Sequence, residues 1–267
     1  MTARETDGLF VSISQLKLWQ QCPKKYEYRY VRGVEPEFVP MALAFGSAFH
    51  AALALHYEAL LRGEVAPESE VKERFIDTLN VAKRGPVPLQ HDEEEDGPFE
   101  LVEAKGLQMV DVTLAHPSAR PEKVLAVEKK FIVPLHDVET GEVLDVQLLG
   151  VIDLVVEEDS HRVLVEHKTS AKKYSADQLN FDTQLSAYSF AAEMMQWGEV
   201  GLRFSVTTKT KSPQVQLEDV RRDEGDMTDF LRVVAGVLKA IDVGISYPVR
   251  SWSCRTCPYR KRCESER

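Results

Sequence analysis

The sequence predicts an α/β protein in which helices flank a mixed sheet. Three segments between residues 124 and 168 are rich in apolar and β-branched side chains and are separated by polar turns, which is typical of an antiparallel strand meander. Segments with helical spacing of apolar residues precede and follow them, and another strand pattern lies at 201–208 between two helices. Strands mixed with helices in this way favour a layered α/β domain.

Composition indicates an ordinary globular protein with an acidic balance. The 267 residues are 43% hydrophobic and 28% charged, and the formal net charge is −10. We see no secretory signal and no apolar stretch long enough to span a bilayer, so we expect a cytoplasmic protein without a membrane partner. The net charge argues against indiscriminate coating of nucleic acid, although local clusters of lysine and arginine lie beside the motifs. Five consecutive acids at 92–96 are interpreted as a solvated loop.

The first half of the chain is predicted to be helical. Its predicted helices span 10–32, 39–62, 67–83 and 99–115. Ser12 or Ser14 can cap the first helix, and Pro23 indicates a break within it. His50 lies in the middle of the apolar second helix, where a lone histidine is more often a hydrogen-bonded core residue than a ligand. The last two helices are interpreted as a helical insertion or lid ahead of the sheet.

The predicted meander carries charged residues in an unusual place. Its strands span 124–135, 143–157 and 162–168, joined by turns at 136–142 and 158–161. Glu128 lies in the first strand, Asp153 interrupts the second, and Glu166 and Lys168 end the third on one face, with His167 on the other. Such charges cost roughly several kcal/mol unless they are paired or bind a metal. Two carboxylates can hold a divalent cation and a lysine can orient or deprotonate water, which suits phosphodiester hydrolysis. A solvated hairpin end with an ion pair is the simpler alternative.

The segment after the meander adds a second polar pattern. Here the predicted elements are a helix at 174–197, a strand at 201–208 and a helix at 224–243. Gln184 and Tyr188 are four residues apart, so they project from the same helix face, although Tyr188 also suits the core. Lys172 and Lys173 lie on the loop before this helix and can attract a charged strand.

Four cysteines are grouped as one plus three. Cys22 lies near the start, and Cys254, Cys257 and Cys263 lie together near the end. Disulfides are not expected in an intracellular protein, and scattered free thiols do not explain the grouping well. Zinc and iron–sulfur centres both accept four thiolates, although zinc ribbons usually contain two close pairs. Either centre would join the two ends of the chain.

The order of these motifs resembles that of one enzyme superfamily. His50, Asp153, Glu166-x-Lys168 and Gln184-x3-Tyr188, together with the four cysteines, closely resemble the motifs of PD-(D/E)XK nucleases. The nearest branch is the RecB-type nucleases that carry an iron–sulfur cluster. It includes CRISPR-associated adaptation exonucleases, AddB-type nuclease domains, and eukaryotic exonuclease and helicase–nuclease relatives. The resemblance spans the chain from the first to the last cysteine, except for the helical insertion.

The resemblance implies a restriction-endonuclease-like core and a role for each matched residue. The implied metal ligands are His50, Asp153, Glu166 and the carbonyl of His167, for one or two Mg²⁺ or Mn²⁺ ions, and the implied catalytic residues are Asp153, Glu166 and Lys168. Gln184 and Tyr188 are implied to hold the substrate phosphate and strand, so together with Lys172 and Lys173 they form the expected DNA-binding set. Cys22, Cys254, Cys257 and Cys263 would hold a [4Fe–4S] cluster. Glu128 has no assigned position in the family pattern, and it is expected either to be structural or to support the metal site from behind the ligands.

The expected organisation is a single nuclease domain over residues 1–267. Its parts are an N-terminal helical segment at 10–32, a helical insertion at 64–120, a catalytic core at 124–210 and a cluster-binding tail at 245–267. The expected activity is metal-dependent DNA cleavage, as an exonuclease on single strands or ends, in recombination, repair, phage replication or CRISPR adaptation. Without a Walker A motif, a helicase or another recombination or adaptation partner would be a separate protein. The alternatives are a non-catalytic iron–sulfur DNA-binding or adaptor protein and a zinc-stabilised structural protein.

Overall fold

A mixed sheet forms the centre of the computed structural model, which describes residues 4–5, 8–92 and 97–266. The strands are β1 (Arg4–Glu5), β2 (Gly8–Ser12), β3 (Val39–Pro40), β4 (Leu89–Gln90), β5 (Lys123–His136), β6 (Val143–Glu158), β7 (His161–Ser170), β8 (Val200–Thr208) and β9 (Val215–Val220). Of the predicted acidic loop at 92–96, residues 93–96 lie outside the described residues.

The sheet contains the predicted meander and two further kinds of pairing. Seven of the described strands form it, in the order β1-β2-β6-β7-β8-β9 with β5 also paired to β6, while β3 and β4 pair separately. The antiparallel pairing of β5 with β6 and of β6 with β7 confirms the meander. Parallel pairing of β7 with β8 and of β2 with β6 makes the sheet mixed, as predicted.

The described residues form nine helices. They are α1 (Ile13–Gln21), α2 (Pro23–Tyr26), α3 (Met41–Leu61), α4 (Glu68–Arg84), α5 (Phe99–Ala115), α6 (Ala176–Phe181), α7 (Thr183–Met194), α8 (Glu224–Asp242) and α9 (Arg260–Ser265). A π-helical segment, Glu27–Val31, continues α2. The predicted helices at 39–62, 67–83, 99–115 and 224–243 match α3, α4, α5 and α8 closely. No helix in the described ranges has the length and apolar character that crossing a bilayer requires.

Three details of the sequence prediction were wrong. Residues 10–32 do not begin as a helix, because strand β2 comes first and Ser12 then caps α1 in a capping box with Gln15. The predicted helix at 174–197 is two helices, since Asp182 interrupts it and its carboxylate caps α7. Strand β9 was not predicted. The break predicted at Pro23 is confirmed, because α1 ends just before it.

Helices cover both faces of the sheet, as predicted. On one face, α1, α7 and α8 pack on Leu164 of β7 and Phe204 of β8. On the other face, α3, α4 and α5 pack on Val163 and Val165 of β7, which alternate with Leu164. The predicted helical insertion therefore contributes to the second core, where Phe75 of α4 is fully buried.

Candidate active site

Three polar side chains from different elements meet at one end of the meander. His50 of α3, Glu128 of β5 and Asp153 of β6 each offer a ligand atom, and these atoms lie within 4.8 Å of one another. His50 Nδ1 is 3.4 Å from Asp153 Oδ1, and 11% of the Asp153 side chain is exposed. Hard carboxylate oxygens converging with an imidazole nitrogen form a donor set that suits a divalent cation.

Glu128 is the site residue that sequence reasoning left without a role. Its neighbours Val127 and Lys129 pair with Leu154 and Ile152, so Glu128 lies opposite Asp153 in the register of β5 and β6. Its φ angle of 47° is in the left-handed region, which costs about 1–3 kcal/mol for a residue other than glycine. A carboxylate placed opposite Asp153 in the predicted hairpin was the available signal, although it required the register to be known.

His50 and Asp153 each stabilise the charged form of the other. Burial lowers the pKa of His50, but the hydrogen bond and charge of Asp153 outweigh burial and raise it overall. Burial raises the pKa of Asp153, yet His50 and the backbone N–H of His167 lower it overall. That N–H donates to Asp153 Oδ2 over 2.8 Å. Asp153 is therefore held as a carboxylate in a fixed orientation.

Glu166 and Lys168 form a second, more deeply buried pair. Glu166 is 2% exposed, and its two carboxylate oxygens accept hydrogen bonds from Lys168 Nζ and from the Tyr188 hydroxyl. Burial, followed by the charge of Asp153, raises the pKa of Glu166 to about 7, against the opposing effect of Lys168. Burial lowers the pKa of Lys168, but the charge of Glu166 outweighs it and raises that pKa overall. Lys168 is thus a charged donor at the site.

The side chain of His167 points away from the carboxylates. Its ring stacks on Tyr57 of α3 at 5.5 Å between centroids and is 4% exposed. Burial lowers the pKa of His167 to about 4, so the imidazole is neutral near pH 7. Its two ring nitrogens are buried without a hydrogen-bond partner in the described part of the chain. The ring also lies edge-on to His50, with 6.4 Å between centroids, while the backbone N–H of His167 orients Asp153.

A cavity of about 730 Å³ brings the two groups together. His50 and Glu128 of the cluster line it together with Glu166, Lys168 and Gln184. The cavity is open to solvent, so a chain-like substrate can reach the carboxylates. Four of its polar residues, His50, Glu166, Lys168 and Gln184, belong to the sequence motifs, and Glu128 joins them.

The two residues of the predicted substrate-binding helix differ in exposure. Gln184 is half-buried and lines the cavity, whereas Tyr188 is fully buried and donates to Glu166 and, over 2.6 Å, to the Val151 carbonyl. The Gln184 side-chain amide lies 3.5 Å from the Tyr188 hydroxyl, so the two share one helix face. The geometry therefore points Tyr188 at Glu166 and not at solvent, which does not favour the predicted direct DNA contact.

Two lysines of the predicted DNA-binding set lie outside the cavity. Lys172 and Lys173 are exposed on the loop between β7 and α6. This loop begins after Ser170, the last residue of β7, two residues beyond Lys168. A strand that leaves the cavity in this direction would meet both positive charges.

The structure brings the four cysteines together. Cys22, Cys254, Cys257 and Cys263 line one small cavity, are half-buried, and form no disulfide. The Val249 backbone N–H donates to Cys22 Sγ over 3.5 Å, while the Cys254 thiol donates to the Val249 carbonyl over 3.7 Å. Burial raises the pKa of Cys257. The two chain ends therefore present four thiols to one small volume.

Ion pairs join the same two ends beside this cavity. Arg32 donates through two nitrogens to both carboxylate oxygens of Glu266, each over 2.8 Å. The buried Tyr28 hydroxyl donates to Glu266 over 2.9 Å. A bidentate pair fixes geometry better than an ordinary surface ion pair does. The segment that follows α2 therefore holds the C-terminal helix in place.

Comparison with known proteins agrees with this geometry. The family model of the PD-(D/E)XK nuclease superfamily matches residues 11–264. A solved structure from Eubacterium rectale, named as a proposed exonuclease, has 14% sequence identity, covers 97% of this chain and 88% of its own, and gives a TM-score of 0.58. The solved structure of SSO0001 has 14% identity and covers 95% of this chain and 96% of its own, with a TM-score of 0.39. No curated protein matches the sequence significantly. The first of these structures supports the fold alone.

Proposed function

Because this chain belongs to the PD-(D/E)XK nuclease superfamily and is therefore a nuclease, we propose that it hydrolyses DNA with Mg²⁺ or Mn²⁺, as an exonuclease on single strands or ends. The observation that carries the proposal is that the His50, Glu128 and Asp153 cluster adjoins a solvent-open cavity, which His50 and Glu128 line together with Glu166 and Lys168. Its openness suits a strand end better than a small enclosed ligand.

The residues of the cluster fit a hard cation. Asp153 and Glu128 would supply carboxylate oxygens and His50 an imidazole nitrogen, with Glu166 and the carbonyl of His167 as the further proposed ligands. A cation bound there would supply Lewis acidity toward a phosphoryl oxygen. Asp153 is already oriented by the His167 N–H, so little rearrangement is needed at that ligand.

The proposed role of Lys168 follows from its charge. Since Glu166 raises the pKa of Lys168, the ammonium group keeps its protons near neutral pH and is a poor general base. It can instead orient water and stabilise negative charge that develops on the phosphate, as preorganised donors do in other sites. Tyr188 acts through Glu166 in this account, and Gln184 donates to the substrate from the cavity wall.

A cleavage assay with labelled DNA tests the proposal. Single strands labelled at the 5′ or 3′ end are incubated with the protein, with and without Mn²⁺, and the products show activity and direction. Asp153→Asn should abolish cleavage, whereas Asp145→Asn should leave it unchanged, because Asp145 is an exposed carboxylate on the same strand β6. Equal activity of the two variants, or wild-type cleavage without any divalent cation, would count against the proposed site.

We also propose that the four cysteines hold a [4Fe–4S] cluster. Tetrahedral zinc with Zn–S bonds near 2.3 Å places its sulfurs about 3.8 Å apart. In the described part of the chain, no three cysteine sulfurs fall within 4.8 Å of one another, which suits a larger group better than a single ion. Iron, zinc and sulfide analysis of anaerobically purified protein tests this, and Cys22→Ser should lose the iron. One zinc per chain without iron would replace the cluster with a zinc site.

The same site bears on the alternative functions, whereas the biological pathway stays a prediction. A non-catalytic DNA-binding or adaptor protein would not need the His50, Glu128 and Asp153 cluster beside Glu166 and Lys168, so the intact set favours an enzyme. Recombination, repair, phage replication and CRISPR adaptation, with a helicase or adaptation protein as partner, stay predictions. A pull-down with such partners would be informative only after cleavage has been measured.

A further inference from the structure

Lys17 of α1 contacts the substrate-binding helix from outside the proposed site. Its Nζ donates to Asp182 Oδ1 over 2.8 Å and to Gln184 Oε1 over 3.0 Å, although these residues are 165 and 167 positions away in sequence. Asp182 in turn caps α7 by accepting from the Gln184 backbone N–H over 2.7 Å. Lys17 therefore bonds both the cap and the first cavity-lining side chain of α7.

The direction of these hydrogen bonds is set by Lys17. An ammonium group can only donate, so it must face the oxygen of the Gln184 amide and not its nitrogen. The amide nitrogen then faces the Tyr188 hydroxyl oxygen at 3.5 Å. Because that oxygen accepts from Gln184, the Tyr188 proton is directed toward Glu166 and the Val151 carbonyl. A continuous chain of donors thus runs from Lys17 to Glu166.

The position of Lys17 favours an indirect role. The side chain is half-buried, 34% exposed, and paired with a carboxylate that is 19% exposed. Gln184 is among the described residues that line the site cavity, whereas Lys17 is not. The junction before α7 is also held from another side, since Arg222 donates to the carbonyls of Leu179 and Asp182. Lys17 therefore lacks the direct access to the cavity that a phosphate contact requires.

We infer that Lys17 is a positioning residue of the nuclease site, which fixes the orientation of the Gln184 amide and, through Tyr188, the orientation of Glu166. In this arrangement Lys17 holds the Gln184 amide oxygen, so the group that remains for a substrate phosphate is an N–H donor. The inference rests on the proposed DNA nuclease function.

The test combines kinetics with binding. Lys17→Met keeps an unbranched side chain that is one atom shorter and removes the donor, and Lys239→Met is a matched control that removes one exposed lysine from α8. Four proteins are compared with the wild type: Lys17→Met, Lys239→Met, Gln184→Ala, and the double variant Lys17→Met with Gln184→Ala. The kcat of each is measured, and so is its DNA affinity at several salt concentrations. Circular dichroism checks that each variant folds.

A positioning role gives a specific set of results. Lys17→Met should lower kcat about tenfold, with the salt dependence of DNA binding unchanged, and the double variant should be no worse than Gln184→Ala within about threefold. Asp182→Asn keeps a good helix cap and weakens the hold on Lys17, so it should lower kcat by about threefold. Lys239→Met should behave as the wild type does.

Three results would overturn the inference. A salt slope that falls by about one unit in Lys17→Met would show a direct phosphate contact. If the loss of kcat in the double variant equals the product of the two single losses, Lys17 does not act through Gln184. The same conclusion follows if kcat is unchanged in both Lys17→Met and Asp182→Asn. A wild type that cleaves no DNA would instead contradict the proposed function, so the two failures are distinct.

Discussion

Replacing Tyr188 by phenylalanine isolates the hydrogen bond that holds Glu166. The substitution removes one oxygen and leaves the ring in the core, where it packs on Phe131 with 6.3 Å between centroids. Two acceptors lose a donor, namely the Val151 carbonyl and one oxygen of the Glu166 carboxylate, whose other oxygen still accepts from Lys168. Val151 is 38% exposed, so water can reach its vicinity, but Glu166 is 2% exposed and has no such replacement.

The expected loss of stability follows from this difference. A hydrogen bond to a charged group contributes roughly 1.5–3 kcal/mol, and a buried acceptor left without its partner costs roughly 1–3 kcal/mol. We therefore expect Tyr188→Phe to lower the free energy of unfolding by about 2 kcal/mol. Tyr247→Phe is the control, because Tyr247 is 51% exposed and a surface change of this kind stays within about 0.5 kcal/mol.

The prediction is tested by measuring urea unfolding of the two variants and the rate at which each cleaves DNA. Cleavage by Tyr188→Phe should fall at least tenfold, roughly the effect of a 1.4 kcal/mol loss in the transition state, while the salt dependence of DNA binding stays unchanged. If Tyr188→Phe were as stable and as active as Tyr247→Phe, the proposed hold on Glu166 would be refuted. If DNA affinity fell while stability did not, Tyr188 would contact the strand, as the sequence had predicted.

Three further predictions concern packing, pH and substrate binding. Gly106→Ala should destabilise the fold by about 1–2 kcal/mol, because the added Cβ would lie 2.0 Å from the buried Phe75 ring. Gly236→Ala on α8 should stabilise it by up to about 1 kcal/mol, because the added Cβ meets nothing within 4 Å. Thermal unfolding compares the two variants. Burial lowers the pKa of His56 in the folded state, so the unfolded chain binds more protons and stability falls as the pH drops below about 6.5. His56→Gln should therefore lose less stability than the wild type between about pH 7 and pH 5. Lys172→Ala with Lys173→Ala should flatten the salt dependence of DNA binding by about one unit for each lost phosphate contact.

The fold could be predicted where the signal is local. The meander is specified by β-branched runs and turns, and α3, α4, α5 and α8 by helical periodicity. Strand β2 was missed because its five residues, Gly8–Ser12, run directly into a helix cap. The division of 174–197 was missed because Asp182 breaks the helix without a glycine or proline, and its capping carboxylate is also held by Lys17 from across the fold.

Only the site residues that belong to sequence motifs could be predicted. His50, Asp153, Glu166 and Lys168 carry a recognisable order, and the structure brings them to one end of the meander. Glu128 depends on strand register, which the local pattern does not specify. The role of Tyr188 depends on burial, since an exposed tyrosine and a buried one look identical in the motif. Contacts that connect distant segments leave no local signal.

The most direct test of the account is to measure, by titration calorimetry, how tightly three proteins bind Mn²⁺. The wild type and Asp145→Asn should bind Mn²⁺ alike, because Asp145 is exposed and away from the cluster. Asp153→Asn should bind at least about tenfold more weakly, since it loses the charge of the one carboxylate that His50 and the His167 N–H already orient. Equal Mn²⁺ affinity in all three proteins would contradict the claim that His50, Glu128 and Asp153 form the metal site of this nuclease.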